Sequence, residues 1–375
     1  MLIKRHLLIF FLLIFLIADS CVVEYTPKIE EEEEFLVVEG LITDQPGINT
    51  IKLSRSLPLW KIQKAKPLKN CIVTISDDFG HIYNLKETTD GSYVTDSATF
   101  QGTIGRVYSL HITTTADSIN FSYSSLPMVM KAVPSIDSIY YDKRTFTTWP
   151  QPVEGCEIFL DTHDPLNKCK FYRWDYSETW EFHLPFNVTN RVCWLSGKSN
   201  GISIRNTSIL SEDRTVRYLI NRIKNPIDKL SVKYSLLVNQ YSLNEDEYLY
   251  WERFKNILDQ VGGLYDKIPA IIPNNIFCVE DPNKTVLGYF SVSAKTSKRI
   301  FIKDSFAGFD VQYMDCVTDS IFGTDPIPGL NLSVWVLIDH SDRIPPKRFV
   351  TSKIRCADCR VRGTNIKPAY WDNVK

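Results

Sequence analysis

The stretch Lys170–His183, KFYRWDYSETWEFH, has the strict alternation of a long β-strand and points to a β-rich fold. One face would carry Tyr172, Trp174, Tyr176, Glu178, Trp180 and Phe182. The other would carry Phe171, Arg173, Asp175, Ser177, Thr179, Glu181 and His183. Two interpretations are open for Tyr172, Trp174, Tyr176 and Trp180: a stacking platform for sugars or peptides, or a face packed in the core. In the core, Glu178 would need a partner for its charge.

Shorter strand-like runs precede this stretch. They include FLVVEGLIT (35–43), INTIKLSR (48–55), NCIVTISD (70–77) and RVYSLHITT (106–114), with glycine-containing turns at Asp78-Phe79-Gly80 and Asp90-Gly91. The pattern resembles immunoglobulin-like or transthyretin-like modules. It predicts an N-terminal β-sandwich over residues 35–133, and Pro134 favours an extended linker there. A larger, mixed β-rich C-terminal domain is expected over residues 134–375, so the fold class is mainly β with some α.

The C-terminal domain should contain at least one amphipathic helix. Asn244 followed by Glu247 is typical of a capping box, and apolar residues then recur at helical spacing until Gly262-Gly263. These apolar residues are Trp251, Phe254, Leu258 and Val261. A second, shorter helix is predicted over residues 211–223, with Val216, Leu219, Ile220 and Ile223 facing inward.

The N-terminus has the organisation of a lipoprotein signal peptide, predicted over residues 1–20. Lys4, Arg5 and His6 precede the twelve-residue apolar run Leu7–Ala18, which is too short to span a bilayer. The following Ala18-Asp19-Ser20-Cys21 resembles a bacterial lipobox, although Asp19 is unusual there. We therefore expect Cys21 to receive diacylglycerol and anchor the protein permanently through its acyl chains. The alternative is secretory cleavage near Ala18, with Cys21 free or in a disulfide.

Residues 21–34 are predicted to form an acidic tether, because five consecutive glutamates, Glu30–Glu34, repel one another and remain solvated. Acidic residues soon after a lipidated cysteine resemble the surface-export signals of Bacteroidota lipoproteins. The predicted location is the outer membrane facing the cell exterior, and the periplasmic face is the alternative. The chain as a whole has 43 Lys and Arg against 44 Asp and Glu, so its net charge gives no case for nucleic acid binding.

Eight further cysteines follow Cys21, and an even number in an oxidising compartment favours disulfides. Seven of them lie after residue 150, which predicts a stapled C-terminal domain. These candidates are Cys156, Cys169, Cys193, Cys278, Cys316, Cys356 and Cys359. The spacing Cys356-Ala357-Asp358-Cys359 also occurs in thiol–disulfide oxidoreductases. No amphipathic helix follows it, so structural disulfides are favoured.

No catalytic motif emerges from the chain, and no cofactor or metal is predicted. Gly197-Lys198-Ser199 lacks the earlier glycine of a phosphate-binding loop, and Asp161-Thr162-His163-Asp164 is better interpreted as a strand end and turn. Paired acids such as Glu178 and Glu181 fall on opposite strand faces. Four Asp-Ser-aliphatic triplets resemble Bacteroidota O-glycosylation acceptors, which makes Ser97, Ser118, Ser138 and Ser320 candidate glycan sites.

Several segments together resemble a large family of Bacteroidota lipoproteins that contain a domain of unknown function. They are LVVEGLITDQPG, RWDYSETWEFH, VLGYFSVSAKTSKRIFI and the tail CADCRVRGTNIKPAYW. Such proteins commonly accompany TonB-dependent outer-membrane transporters. The resemblance implies a non-enzymatic accessory role in nutrient uptake, through binding of a ligand or of the transporter. The alternatives are a hydrolase or glycan-processing surface enzyme, and a structural or adhesion protein.

Overall fold

A computed structural model describes residues 34–56, 65–114, 120–149, 152–224, 228–260, 272, 274–306, 316, 318–322, 336–341, 347–351 and 353–372. The predicted signal peptide, Cys21 and all of the tether except Glu34 lie outside the described residues. Five β-sheets and one α-helix make up the described part, which confirms the prediction of a mainly β fold with some α. No helix among these residues is long and apolar enough to cross a membrane.

Two sheets form the first sandwich. Sheet 1 has the strand order β19-β1-β2-β7-β6, with β3 beside β2. Its strands are β1 (Leu36–Ile42), β2 (Thr50–Arg55), β3 (Lys66–Pro67), β6 (Lys86–Thr89), β7 (Ser92–Val94) and β19 (Val286–Val292). Sheet 2 has the order β18-β9-β8-β4-β5, with β10 beside β8. Its strands are β4 (Ile72–Asp77), β5 (Ile82–Asn84), β8 (Val107–Thr113), β9 (Ser122–Ser125), β10 (Met128–Val129) and β18 (Ile276–Cys278).

Alternating apolar residues from both sheets fill the core of this sandwich, as the period-two pattern predicts. The predicted turns occur, with Gly80 and Gly91 at positive φ. The sandwich is not continuous in sequence, however, because β18 and β19 belong to the segment assigned to the C-terminal domain. The sequence-based division at residue 133 therefore does not capture these two strands.

Strand β19 approaches β1 closely, and the two run parallel. Gly288 lies opposite Val38 with φ +91°, and a Cβ atom there would lie 1.9 Å from the Val38 carbonyl oxygen. Only glycine fits this backbone. The arrangement places Leu287, Tyr289 and Ser291 at the surface cavity described below.

The second sandwich packs sheet 3 against sheet 4. Sheet 3 has the order β11-β12-β16 and sheet 4 the order β14-β13-β17-β20, with β15 beside β13. Sheet 3 contains β11 (Ile136–Phe146), β12 (Val153–His163) and β16 (Arg214–Ile223). Sheet 4 contains β13 (Phe171–His183), β14 (Val192–Lys198), β15 (Ser203–Asn206), β17 (Lys233–Ser242) and β20 (Lys295–Ile302). The stretch Lys170–His183 thus contains β13, an interior strand of sheet 4.

A third, smaller unit follows. Sheet 5 comprises β21 (Thr318–Phe322), β23 (Lys347–Thr351) and β22 (Val336–Ser341), with β23 in the middle. In the described part of the chain, short 3₁₀ turns occur at Asp228–Leu230, Ile354–Cys356 and Cys359–Val361.

The helix α1 (Glu245–Gln260) begins one residue after Asn244, so the helix prediction is confirmed. The second predicted helix is wrong, because β16 occupies most of residues 211–223. Two irregularities in its pairing with β12, and Arg217 at φ +53°, shift the inward-facing alternation along the strand. Ile220 and Ile223 are buried as a result, and their spacing of three residues imitates a helix.

Candidate functional site

A cavity of about 960 Å³ lies where α1 meets both sandwiches. The outward face of sheet 1 forms one wall, with Glu39 and Leu41 from β1 and Leu287 and Tyr289 from β19. The apolar face of α1 forms the second wall, through Tyr250, Trp251, Phe254 and Ile257. Arg173 and Asp175 of β13 complete it. The volume and the aromatic, mainly apolar lining are those of a small-molecule site.

The polar end of the cavity is built around Arg173. Its guanidinium carbon lies 4.7 Å from the ring centre of Tyr241 and 4.6 Å from that of Trp251, so aromatic rings cover the cation. Among the described residues, no hydrogen-bond partner meets its buried Nε atom and no carboxylate forms an ion pair with it. A buried donor without an acceptor costs about 1–3 kcal/mol. The rings cover the guanidinium without supplying an acceptor for Nε.

Glu247, on the first turn of α1, is a second unusual group close to this end. Its side chain is fully buried; Oε1 accepts a 3.4 Å hydrogen bond from Trp251 Nε1, while Oε2 has no partner among the described residues. Burial raises the pKa of Glu247 to about 7, against the opposing influence of Ser291, Arg173 and Trp251. Glu247 contacts two residues of the cavity wall but does not itself line the cavity.

A second cavity of about 440 Å³ adjoins the first and shares Arg173, Asp175 and Trp251 with it. Asn239 donates a 2.6 Å hydrogen bond to Asp175 Oδ1. Burial, followed by the charge of Asp175, raises the pKa of Tyr241, so this phenol stays protonated. Asp175 is thus engaged by neighbours of its own.

Two opposite charges lie on the sheet wall of the larger cavity. Glu39 on β1 faces Lys52 on β2 in the antiparallel register, and both side chains are exposed. Exposed charges of this kind are screened by solvent. The aromatic-covered Arg173 is therefore the cation in the less polar surroundings.

The predicted stacking residues lie mainly in the core of the second sandwich. Tyr172 and Trp174 are 0% and 2% exposed, so neither presents a ring face to solvent. Tyr172 donates a 2.6 Å hydrogen bond to Asp213, and Trp174 Nε1 donates one of 2.8 Å to Gln240. Burial favours the core interpretation for these two.

Tyr176 and Trp180 are partly buried against the same core. Their polar tips donate hydrogen bonds of 3.1 Å to Asn221 and 3.0 Å to Asp228. Ligand stacking by these two rings stays a prediction. Glu178, which needed a partner if buried, forms an ion pair with Lys229 and accepts a 2.8 Å hydrogen bond from Tyr234.

Two disulfides join the C-terminal segment to itself and to sheet 4, namely Cys193–Cys359 and Cys316–Cys356. The two cysteines of the C-x-x-C spacing therefore bond to different partners, which confirms their structural interpretation. Disulfides at Cys156, Cys169 and Cys278 were wrongly predicted, because these three residues are buried thiols. They pack as small apolar side chains, and burial raises the pKa of Cys156 and Cys169 to about 12.

The candidate glycosylation serines occupy different settings. Ser97 is exposed in a turn, whereas Ser138 lies on β11 and donates a 3.0 Å hydrogen bond to Asp161. Ser118 and the side chain of Ser320 lie outside the described residues. The acceptor hypothesis stays a prediction at all four positions.

The site around Arg173 was not predicted from the sequence, although several of its residues were placed on the correct faces. Arg173 and Asp175 were assigned to the charged face of the strand, and Trp251 and Phe254 to the apolar face of the helix. Glu247 was interpreted as a capping residue, yet its side chain is buried beside Trp251. An acidic residue four positions before a tryptophan on the buried side of a helix is the signal that could have indicated a different role.

Two β-sandwiches and the helix α1, with an aromatic-lined cavity where they meet, define the class as a β-rich protein with some α. The chain belongs to the family described as Domain of unknown function (DUF4249), whose model matches residues 22–299. Every lining residue of the larger cavity falls within this range. No curated protein matches the chain at a significant level.

Proposed function

We propose that this protein binds a small ligand in the cavity between α1 and sheet 1, without catalysis, as an accessory lipoprotein of a TonB-dependent uptake system. The observation that carries the binding role is the state of Arg173, a cavity-lining cation beside two aromatic rings whose buried Nε has no acceptor among the described residues. Buried polar groups in folded proteins normally have partners, and exceptions call for an explanation. A ligand that supplies the acceptor is that explanation.

The binding role is tested by filling the cavity from the helix side. Ile257→Trp introduces a large side chain at a lining position, and Leu258→Trp is the matched control at the neighbouring position, which is 49% exposed and outside the lining. Each protein, in lipid nanodiscs, is dialysed against a defined mixture of amino acids, short peptides, monosaccharides and fatty acids. Mass spectrometry then measures what each protein retains.

We expect the wild-type protein and Leu258→Trp to retain the same component, and Ile257→Trp to retain at least about tenfold less, equivalent to about 1.4 kcal/mol. If all three proteins retain the same amount of every component, the cavity is not a binding site.

The membrane attachment rests on the signal-like residues 1–20 and on Cys21. Cys21→Ser should release a folded protein into the soluble fraction, because a single cysteine would carry the acyl chains. Persistence of the variant in washed membranes would contradict the lipid anchor. The transporter is tested by purification in mild detergent: a stoichiometric TonB-dependent barrel supports the proposal, and recovery of the protein alone argues against it.

One observation favours a second candidate, an enzyme that uses Glu247 as a general base. A carboxyl with a pKa raised to about 7 by burial is typical of acid–base catalysis. Glu247 is fully buried, however, and it is not among the residues that line the cavity. Turnover of any retained compound by the wild-type protein, lost in Glu247→Gln, would establish this alternative.

A further inference from the structure

We infer that the ligand of the larger cavity is an amphipathic carboxylate, whose carboxylate binds Arg173 and whose apolar body lies along α1. This inference rests on the proposed binding function and specifies the chemical class of the ligand. It follows from the geometry around the guanidinium and from the composition of the cavity walls.

The guanidinium of Arg173 can be approached by a ligand in only some orientations. The ring centres of Trp251 and Tyr241 lie 4.6 Å and 4.7 Å from the guanidinium carbon, and the N–H donors of a guanidinium point outward in its own plane, so a ligand group meets them at the edge of that plane. An arginine edge offers parallel donors that match the two oxygens of a carboxylate. A planar, two-oxygen anion therefore fits this approach.

The neighbouring carboxylates leave the edge of the Arg173 guanidinium available to a ligand. Asp175 accepts a hydrogen bond from Asn239, and Glu247 accepts one from Trp251. Neither forms an ion pair with Arg173 among the described residues. Arg222, by contrast, lies on β16 and pairs with Glu157 at 2.6 Å.

The rest of the ligand would contact the other walls of the cavity. The walls beyond Arg173 are largely aromatic and aliphatic, with Tyr250, Phe254, Ile257 and Leu287 prominent among them. The other cation of the lining, Lys52, is exposed and faces Glu39. A phosphate or sulfate ester carries oxygens in three dimensions and is best bound by several cations. One stacked arginine and apolar walls therefore favour a carboxylate with an apolar body.

Matched pairs of small molecules test the class. The probes are N-acetyl-L-phenylalaninate with its amide, octanoate with octanamide, and phenylacetate with phenyl phosphate. Isothermal titration of the wild-type protein in nanodiscs is expected to show at least one carboxylate binding about tenfold or more tightly than its amide. Phenylacetate should also bind more tightly than phenyl phosphate.

The variant Arg173→Gln should abolish the preference for carboxylate, so that each carboxylate binds no more tightly than its amide. Arg222→Gln, which removes an arginine outside the cavity lining, is the control and should retain the preference. Arg173→Lys keeps the charge but lacks the planar fork, so it should retain only part of the preference. Thermal unfolding of each variant verifies that it is folded before titration.

The outcomes separate the inference from the proposed function. Equal binding of carboxylate and amide by the wild-type protein, or tighter binding of phenyl phosphate, would overturn the carboxylate class while leaving a binding cavity. A carboxylate preference that survives in Arg173→Gln would overturn the role of Arg173. Equal retention of every component by the wild-type protein and Ile257→Trp would remove the binding function itself.

Discussion

The two faces of β13 show how a single strand can serve both a core and a site. On one face, Tyr172 and Trp174 are buried and their polar tips donate to Asp213 and Gln240. On the other, Arg173 is covered by rings from other elements and its Nε has no acceptor among the described residues. Both faces are rich in aromatic contacts. The polar tips of Tyr172 and Trp174 have acceptors, whereas Arg173 Nε has none in the described part of the chain, and this difference separates the core residues from the cavity cation.

Two buried glutamates show the same difference. Glu178, on the core face, has Lys229 and Tyr234 as partners. Glu247, beside the site, keeps one carboxyl oxygen without a partner among the described residues. A buried polar group without a partner lowers stability, so Glu247 is expected to cost stability where Glu178 does not.

The largest effect is expected from removing a tryptophan on each face. Trp174→Ala deletes a buried ring whose centre lies 5.6 Å from the ring centre of Tyr172 and 4.4 Å from that of Tyr218. Its loss should lower the free energy of unfolding by about 3–5 kcal/mol. Trp251→Ala, at the half-buried cavity wall, should cost less but abolish ligand retention. Urea denaturation and dialysis measure the two effects, and equal stability losses would contradict the division into core and site.

The second effect depends on pH. The pKa of Glu247 is raised in the folded protein to about 7 from 4.5, so the folded state holds this proton more tightly than the unfolded state. Ionisation of Glu247 therefore does not reduce the free energy of unfolding below pH 4.5. The free energy of unfolding falls as the pH rises through 7, and at higher pH it is lower by up to about 3 kcal/mol.

Glu247→Gln should flatten this pH dependence and make the protein more stable than wild type at pH 8. Denaturant unfolding at pH 5 and pH 8 measures the difference. Glu178→Gln is the control: it should reduce stability at both pH values, because it weakens the pairing with Lys229. The same change in stability between the two pH values in wild type and in Glu247→Gln would show that Glu247 ionises normally.

The sequence predicted the alternation of β13 and the extent of α1 because both depend on local periodicity. It could not predict the parallel pairing of β1 with β19, which joins segments about 250 residues apart. It also failed at β16, where backbone irregularities near Arg217 displace the pattern. For the site, the sequence placed Arg173 on the correct face. The sequence could not show that Arg173 Nε lacks an acceptor among the described residues, because its surroundings form only when Tyr241 of β17 and Trp251 of α1 come together.

A smaller effect is expected from removing one hydroxyl on each face. Tyr172→Phe leaves the buried Asp213 with one donor fewer, although Thr207 still donates to it at 2.7 Å, and should cost about 1–3 kcal/mol. Tyr241→Phe should cost less, because its neighbour Asp175 lines both cavities and accepts from Asn239. Thermal unfolding compares the variants. A greater loss of stability in Tyr241→Phe than in Tyr172→Phe would show that hydrogen bonds on the site face also stabilise the fold.

The smallest effect on stability is expected at Arg173 itself. Arg173→Gln removes a cation that stacks favourably on two rings but also removes a buried donor without an acceptor, and these contributions oppose each other. The net change should be within about 1 kcal/mol, even though the side chain lies at the centre of the cavity. Urea denaturation without ligand measures it. A loss as large as that of Trp174→Ala would mean that Arg173 serves the fold, whereas a near-neutral change together with lost carboxylate binding would mean that this arginine is held for the ligand.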